Sequence, residues 1–116
     1  MFSPLERRRF SRFVVPLAMR YQVHCPETGK LLHQGQGVIR DLSLSGGFFH
    51  LDHPPAFQAG QILSLTIAAP LPFLEGHDIS LLTALGEVVR LEPPGPANPN
   101  FGVAVNFLQD LSFAPF

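Results

Sequence analysis

The sequence predicts an all-β protein, either an antiparallel barrel or a sandwich, and three observations support this. Apolar and polar residues alternate with a period of two, no segment shows the 3.6-residue period of a helix, and 10 glycines and 12 prolines separate the alternating runs. At 116 residues the chain can form one hydrophobic core. A closed barrel is favoured because 46% of the residues are hydrophobic, and closure removes exposed sheet edges.

The first two strands are predicted to form a hairpin. From Val15 onward the alternation is that of a strand with one buried face. The residues expected to face the core are Leu17, Met19, Tyr21 and Val23. A turn is expected at residues 26–29, where Gly29 can adopt a positive φ, and the return strand at residues 30–41. Cys25 is the only cysteine, so it is expected to be a half-buried apolar residue.

Four further strands bring the predicted total to about six. They are expected at residues 48–51, 63–67, 83–91 and 101–107. Prolines separate them, because a proline cannot donate a hydrogen bond to a strand ladder. The run 68–72 is therefore expected to end the fourth strand, and residues 71–79 and 92–100 are expected to form loops.

The distribution of charge predicts a site for a small anion. The net charge is −1, yet five of the eight basic residues lie in the first twenty positions: Arg7, Arg8, Arg9, Arg12 and Arg20. DNA and RNA usually require a broader basic surface, so neither is expected to bind. No apolar run is long enough to span a bilayer, and the first residues do not resemble a signal peptide. The expected location is the cytoplasm.

The segment Asp41-Leu42-Ser43-Leu44-Ser45-Gly46-Gly47 supplies a second group of candidate ligand-binding residues. Arginine side chains bind phosphate and the acceptor edge of guanine. A carboxylate at Asp41 adds an acceptor, a hydroxyl at Ser43 adds a donor, and glycine allows close approach to the backbone. Asp41 and Ser43 are expected on the same face of a pleated segment. Together the two groups predict a guanine nucleotide as the ligand.

Arg8-x-x-x-Arg12 followed by Asp41-x-Ser43-x-x-Gly46 resembles the two-part signature of PilZ domains, bacterial receptors for cyclic di-GMP. Residues 86–90 and 101–107 also resemble the later part of the family pattern. The resemblance implies a six-stranded, Greek-key-like barrel at residues 14–108. A flexible arginine arm at residues 1–13 would precede the barrel, and a short tail at residues 109–116 would follow it.

The resemblance also implies the roles of individual residues. Arg8 and Arg12 would hold phosphate and guanine. The second part of the pocket would be framed by Asp41, Ser43, Gly46 and Gly47. Arg7 precedes the signature and could bridge to a second, intercalated ligand molecule. Arg9 and Arg90 are additional candidates, and Arg90 is expected to have no acidic partner on its own strand face.

On this interpretation the protein is a stand-alone receptor that changes conformation and signals to an effector protein. It would need no catalytic residue, metal or cofactor, and a homodimer is also considered. Three alternatives remain open. The first is a PilZ-fold interaction module, like those of type IV pili, that does not bind the nucleotide and docks through the apolar segment 107–116. The second is a barrel that binds single-stranded nucleic acid. The third is an enzyme or metal protein built on His50, Asp52 and His53, with His33 or His77.

Overall fold

The computed structural model describes residues 16–70, 79–109 and 112–113 of the chain. Within these residues it contains seven strands and no helix. The strands are β1 (Leu17–His24), β2 (Leu31–Leu42), β3 (Gly46–Leu51), β4 (Ile62–Pro70), β5 (Ile79–Glu92), β6 (Phe101–Phe107) and β7 (Ser112–Phe113). The described part of the chain therefore has no helix that could span a bilayer.

The sheet closes on itself and forms a barrel, which decides between the two predicted architectures. Its strand order is β4-β1-β2-β3-β6-β5-β7, and a further pairing of β4 with β5 closes the ring. All of the pairings are antiparallel. Closure buries one face of every strand of the ring in a common core and satisfies the backbone groups at the sheet edges.

The predicted alternation of β1 is confirmed. Leu17, Met19, Tyr21 and Val23 are buried, and each is followed by a more exposed residue. In β6, Val103 and Val105 are buried and the flanking phenylalanines pack against the core. The hairpin turn contains Gly29 at a φ of 73°, so glycine provides the conformation expected from the sequence.

The boundaries of β3, β4 and β5 differ from the prediction, and β3 begins at Gly46 rather than at residue 48. β4 continues through Pro70 and β5 begins at Ile79, and the ladder between them runs without interruption from the Ile62–Glu87 pair to the Pro70–Ile79 pair. The prolines of the run 68–72 therefore do not end β4 where expected, because Pro70 occupies only the last position of the ladder. The predicted loop 71–79 lies outside the described residues except for Ile79, which is in β5.

The segment between β3 and β4 covers one end of the barrel. Phe57 is only 3% exposed and belongs to the core cluster. The backbone N–H of Gly60 donates to the Val88 carbonyl at 2.7 Å, and the N–H of Val88 donates to the Gln61 carbonyl at 2.9 Å. We call residues 52–61 the end loop. At the other end of the chain, β7 adds a short strand beside β5, within the segment 109–116 for which the sequence predicts a tail.

Two β-bulges change the direction of side chains near the strand ends. One lies between Ile39 and Asp41 in β2, and the other between Val88 and Arg90 in β5. In β2, strict alternation from the buried Ile39 would place residue 41 in the core. The bulge instead leaves Asp41 exposed and buries Leu42. In β5, likewise, Val88 is buried and Arg90 is exposed.

Candidate functional site

Four strands contribute one side chain each to a row on the outer face of the barrel. Asp41 of β2 pairs with Phe48 of β3, Phe48 pairs with Ala104 of β6, and Ala104 pairs with Arg90 of β5. Neighbouring strands lie about 4.8 Å apart, so three spacings separate the two ends of the row by about 14 Å. A carboxylate and a guanidinium thus flank an aromatic ring and a methyl group.

The row lines a depression with a volume of about 270 Å³. Its lining includes the four residues of the row together with Ser43, Ser45, Gly46, Gly47 and Asn106. We call it the bulge depression, because the two bulges turn Asp41 and Arg90 toward it. The structure therefore brings together Asp41, Ser43, Gly46, Gly47 and Arg90, all of which the sequence selects as candidates.

The turn from Ser43 to Gly46 is held by hydrogen bonds of its own. The N–H of Ser43 donates to the Gly46 carbonyl at 2.9 Å, and the Ser43 hydroxyl lies 3.2 Å from the Ser45 hydroxyl. Gly46 does not adopt a positive φ. Its lack of a side chain is required for another reason, because a Cβ there would collide with the Val105 carbonyl oxygen of β6. Glycine at this position therefore allows close strand packing.

Phe48 is a lining residue that the sequence analysis did not select. Its ring lies over Gly102 of β6, where an added Cβ would be 2.5 Å from the end of the ring. It also contacts the His50 ring edge-on at a centroid distance of 5.3 Å, and His50 Nε2 lies 3.0 Å from Asn98 Nδ2. The ring thus leans toward Gly102 and leaves Ala104 accessible. The alternation of Phe48 with the buried Phe49 was the sequence signal for its outward position.

Arg90 has an acidic partner on its own strand face, contrary to the prediction. Its Nε donates to Glu92 Oε2 at 2.6 Å. The two side chains are 59% and 46% exposed, and an ion pair this exposed contributes only about 0.2 to 1 kcal/mol to stability. The guanidinium carries four further N–H groups on its Nη atoms. An anionic ligand could therefore recruit Arg90 at little cost.

The predicted arginine arm precedes the first described residue. Arg7, Arg8, Arg9 and Arg12 lie outside the described residues. Their participation in the site remains a prediction. Asp41, with which they were expected to share a ligand, is exposed and lies at the edge of the depression.

The described histidines of the metal alternative, His33, His50 and His53, have other partners. His50 is directed to Asn98, whereas His53 and His33 both contact the hydroxyl of Tyr21. Among the residues that the structure describes, no three His, Cys, Asp or Glu side chains form a group suited to a metal ion. His77 lies outside these residues. Their arrangement therefore gives no support to the metal alternative.

Two larger grooves, of about 460 and 500 Å³, lie along β1 on another face of the barrel. They share Arg20, Gln36 and Thr66, and Arg20 is the one charged residue in their lining. The amides of Gln22, Gln34 and Gln36 line the second groove, but no carboxylate is among the described residues that line either groove. The bulge depression is smaller but has the more specific chemistry, so we regard it as the candidate site.

Comparisons with known proteins agree with the fold. The PilZ domain family model matches residues 6–114. Among solved structures, that of the Bacillus subtilis inhibitor of motility (MotI/DgrA) is similar, with a TM-score of 0.61 and 19% sequence identity. The similarity covers 86% of this chain and 42% of the other, so this chain spans less than half the length of that protein. No curated protein sequence matches significantly. At 19% identity, the structural similarity shows the fold alone.

Proposed function

Because the chain belongs to the PilZ domain family, we propose that it binds cyclic di-GMP in the bulge depression and signals to a partner protein. The observation that carries this proposal is the row from Asp41 to Arg90, with Ser43 and two glycines beside it. PilZ domains generally act as receptor or adaptor domains without catalysis. We propose that the receptor acts in the bacterial cytoplasm.

The chemistry of the depression suits one guanine base. The carboxylate of Asp41 can accept hydrogen bonds from the N–H groups of the guanine Watson–Crick edge. The Phe48 ring and the guanidinium of Arg90 offer flat surfaces on either side of Ala104. The small side chain of Ala104 leaves room for a base between them. The Ser43 hydroxyl can donate to a phosphate or ribose oxygen.

The size of the depression indicates that it forms only part of the binding site. Sites that enclose a drug-sized ligand usually have volumes of about 300 to 1,000 Å³. At about 270 Å³, the depression would cover one base and its sugar rather than the whole cyclic dinucleotide. The remaining contacts must come from another segment. In our proposal these are Arg8 and Arg12, which hold phosphate and the other face of the guanine, while Arg7 bridges to a second ligand molecule.

An apolar patch beside the depression supports a partner protein. Leu44 and Leu108 are 54% and 48% exposed, and with Phe107 they line a shallow surface next to Ser45. The N–H of Phe107 donates to the Ser45 carbonyl at 2.9 Å, so this patch is attached to the turn that carries Ser43. A ligand that repositions the turn would also alter the patch. This surface also supports the second candidate function, an interaction module that binds a protein without the nucleotide.

Calorimetric titration with cyclic di-GMP tests the proposal. We expect saturable binding by the wild-type protein, and a loss of most of the binding in Arg8→Ala and Arg12→Ala variants with little change in thermal stability. Arg20→Ala, an exposed arginine outside the depression, is the matched control and should bind normally. Absence of binding by the wild-type protein would favour the interaction module. Unchanged affinity in both signature variants would refute the assigned site.

A further inference from the structure

Two histidines from separate segments meet at one buried hydroxyl group. Tyr21 of β1 is 1% exposed, and its hydroxyl lies 3.2 Å from Nε2 of His33 in β2. The same hydroxyl lies 3.1 Å from Nε2 of His53 in the end loop. The other ring nitrogen of His53, Nδ1, lies 2.8 Å from Asp52 Oδ1. We call Tyr21, His33, Asp52 and His53 the tyrosine clasp.

The clasp attaches the end loop to the barrel. Tyr21 holds this loop twice, because its hydroxyl binds His53 and its ring contacts Phe57 edge-on at a centroid distance of 5.2 Å. The far side of the loop is held by backbone bonds between residues 60–61 and Val88. Loss of the His53 contact would therefore weaken one of the two attachments that keep Phe57 in the core.

The direction of each hydrogen bond in the clasp follows from the number of available protons. The hydrogen bond from His53 is the main reason that the pKa of Asp52 lies below its ordinary value, so at neutral pH Asp52 is a carboxylate and can only accept. His53 must then carry its proton on Nδ1, and its bare Nε2 accepts from the Tyr21 hydroxyl. The phenol has one proton, so His33 must donate to it from Nε2–H. Every contact is satisfied with both rings neutral.

One additional proton is compatible with this network. On His33 it occupies Nδ1 and changes none of the bonds. If the proton binds His53, it occupies Nε2, which then donates to the Tyr21 hydroxyl. The phenol in turn donates to Nε2 of His33, which must then be the Nδ1–H tautomer. With a second additional proton both rings donate to Tyr21 Oη, the phenol proton loses its acceptor, and two cations lie against one buried oxygen. The doubly protonated state therefore leaves the phenol donor unsatisfied and places like charges together, which favours opening of a contact.

We propose that the tyrosine clasp is a pH-sensitive latch that keeps the end loop closed with up to one protonated histidine and releases it when both are protonated. The other rings that contact Tyr21 from the described elements, Phe49 of β3 and Phe57, are uncharged. Among the described residues that contact the clasp histidines, Asp52 carries a charge. The latch is independent of the proposed nucleotide site, because the clasp adjoins the Leu51 end of β3 and the depression adjoins the Gly46 end.

Nitrogen NMR of the wild-type protein tests the proton arrangement directly. At about pH 7.5 we expect His53 to be the Nδ1–H tautomer and His33 the Nε2–H tautomer. If His53 carries its proton on Nε2, or His33 carries its proton on Nδ1, the proposal of a pH-sensitive latch is wrong. This measurement needs no variant, so it remains decisive if substitutions in the clasp prevent folding.

Hydrogen exchange at the Gly60 amide, corrected for its intrinsic pH dependence, tests the release of the end loop. Between about pH 8 and pH 5, where imidazoles ordinarily gain protons, we expect wild-type protection to fall by up to about tenfold per pH unit once the second proton binds. His33→Gln removes one ionisable ring and should abolish this fall. His50→Gln, whose histidine binds Asn98 outside the clasp, should retain it. A pH-independent wild-type protection, or a fall in His33→Gln equal to that of the wild type, would overturn the proposal.

Discussion

Asp41 and Arg90 lie at opposite ends of one row across four strands, and each is turned outward by a β-bulge in its own strand. Without the bulges, both side chains would fall in phase with the buried residues Ile39 and Val88. The pair thus owes its position to two local irregularities that face each other across β3 and β6. Bulges frequently re-aim side chains next to functional sites, and here they place opposite charges at the two sides of one depression.

We expect Ala104→Leu to block nucleotide binding while preserving the fold. Ala104 is partly exposed in the lining of the depression, and a larger side chain would fill the space between Phe48 and Arg90. Cyclic di-GMP affinity should fall more than about tenfold, a loss of at least about 1.4 kcal/mol. Calorimetric titration measures this, with Ala18→Leu on the outer face of β1 as the control. Equal affinities in the two variants would show that the base does not occupy this position.

The position of the Phe48 ring predicts a second effect on binding. A methyl group at Gly102 would displace the end of that ring, since the added Cβ would be 2.5 Å from it. The ring would then turn toward Ala104 and narrow the depression. Gly102→Ala should therefore weaken cyclic di-GMP binding in the same titration, whereas the double variant with Phe48→Ala should recover part of the loss if the ring itself is the obstruction.

Asp41→Asn should weaken binding about 10-fold to 100-fold, corresponding to about 1.5 to 3 kcal/mol for a hydrogen bond to a charged group. The amide keeps the shape of the carboxylate but replaces one acceptor by a donor, which opposes the N–H groups of guanine. Glu27→Gln in the β1–β2 turn provides a control for the loss of one negative charge. Similar affinities for wild type and Asp41→Asn would argue against a guanine contact at this position.

Gly46→Ala should reduce the free energy of unfolding by about 1 to 3 kcal/mol, because the added Cβ collides with backbone rather than with a movable side chain. Chemical denaturation measures the change. Gly95→Ala is the matched control, since its added Cβ would meet no atom within 4 Å and its φ is not positive. Comparable stability in the two variants would mean that β3 and β6 can separate there without cost.

Because the chain has a single tyrosine, the titration of its hydroxyl can be followed without a signal from another tyrosine. Burial raises the pKa of Tyr21 above its ordinary value of 10.0. The stability that it contributes is therefore fully present below about pH 10 and is lost as the pH rises through the folded-state pKa. Tyrosinate absorbance should appear at higher pH in the folded protein than in denaturant. Identical titration curves in the two conditions would contradict the buried position of the hydroxyl.

The sequence alone was sufficient for the fold class, the first hairpin and the buried face of β1. The alternation of β1 places the same residues in the interior in the prediction and in the structure, since the pleat has a fixed period of two. In β6, Val103 and Val105 are buried as expected, but Gly102 is buried as well. The sequence also selects residues 41, 43 and 46 as candidates, and the structure places all three in the lining of one depression. The far end of β4 could not be predicted from the sequence, since its extension through Pro70 depends on pairing with β5.

Tertiary structure decided what surrounds those signature residues. The outward directions of Asp41 and Arg90 depend on bulges, and a bulge arises from the registers of two paired strands rather than from the residues of one. The partly exposed Phe48 ring lines the depression and lies over Gly102 of another strand. Likewise Tyr21, His33 and His53 are far apart in the sequence and meet only when the barrel closes and the end loop covers it. Local periodicity determines which face of a strand is buried, but contacts between distant segments determine which side chains meet.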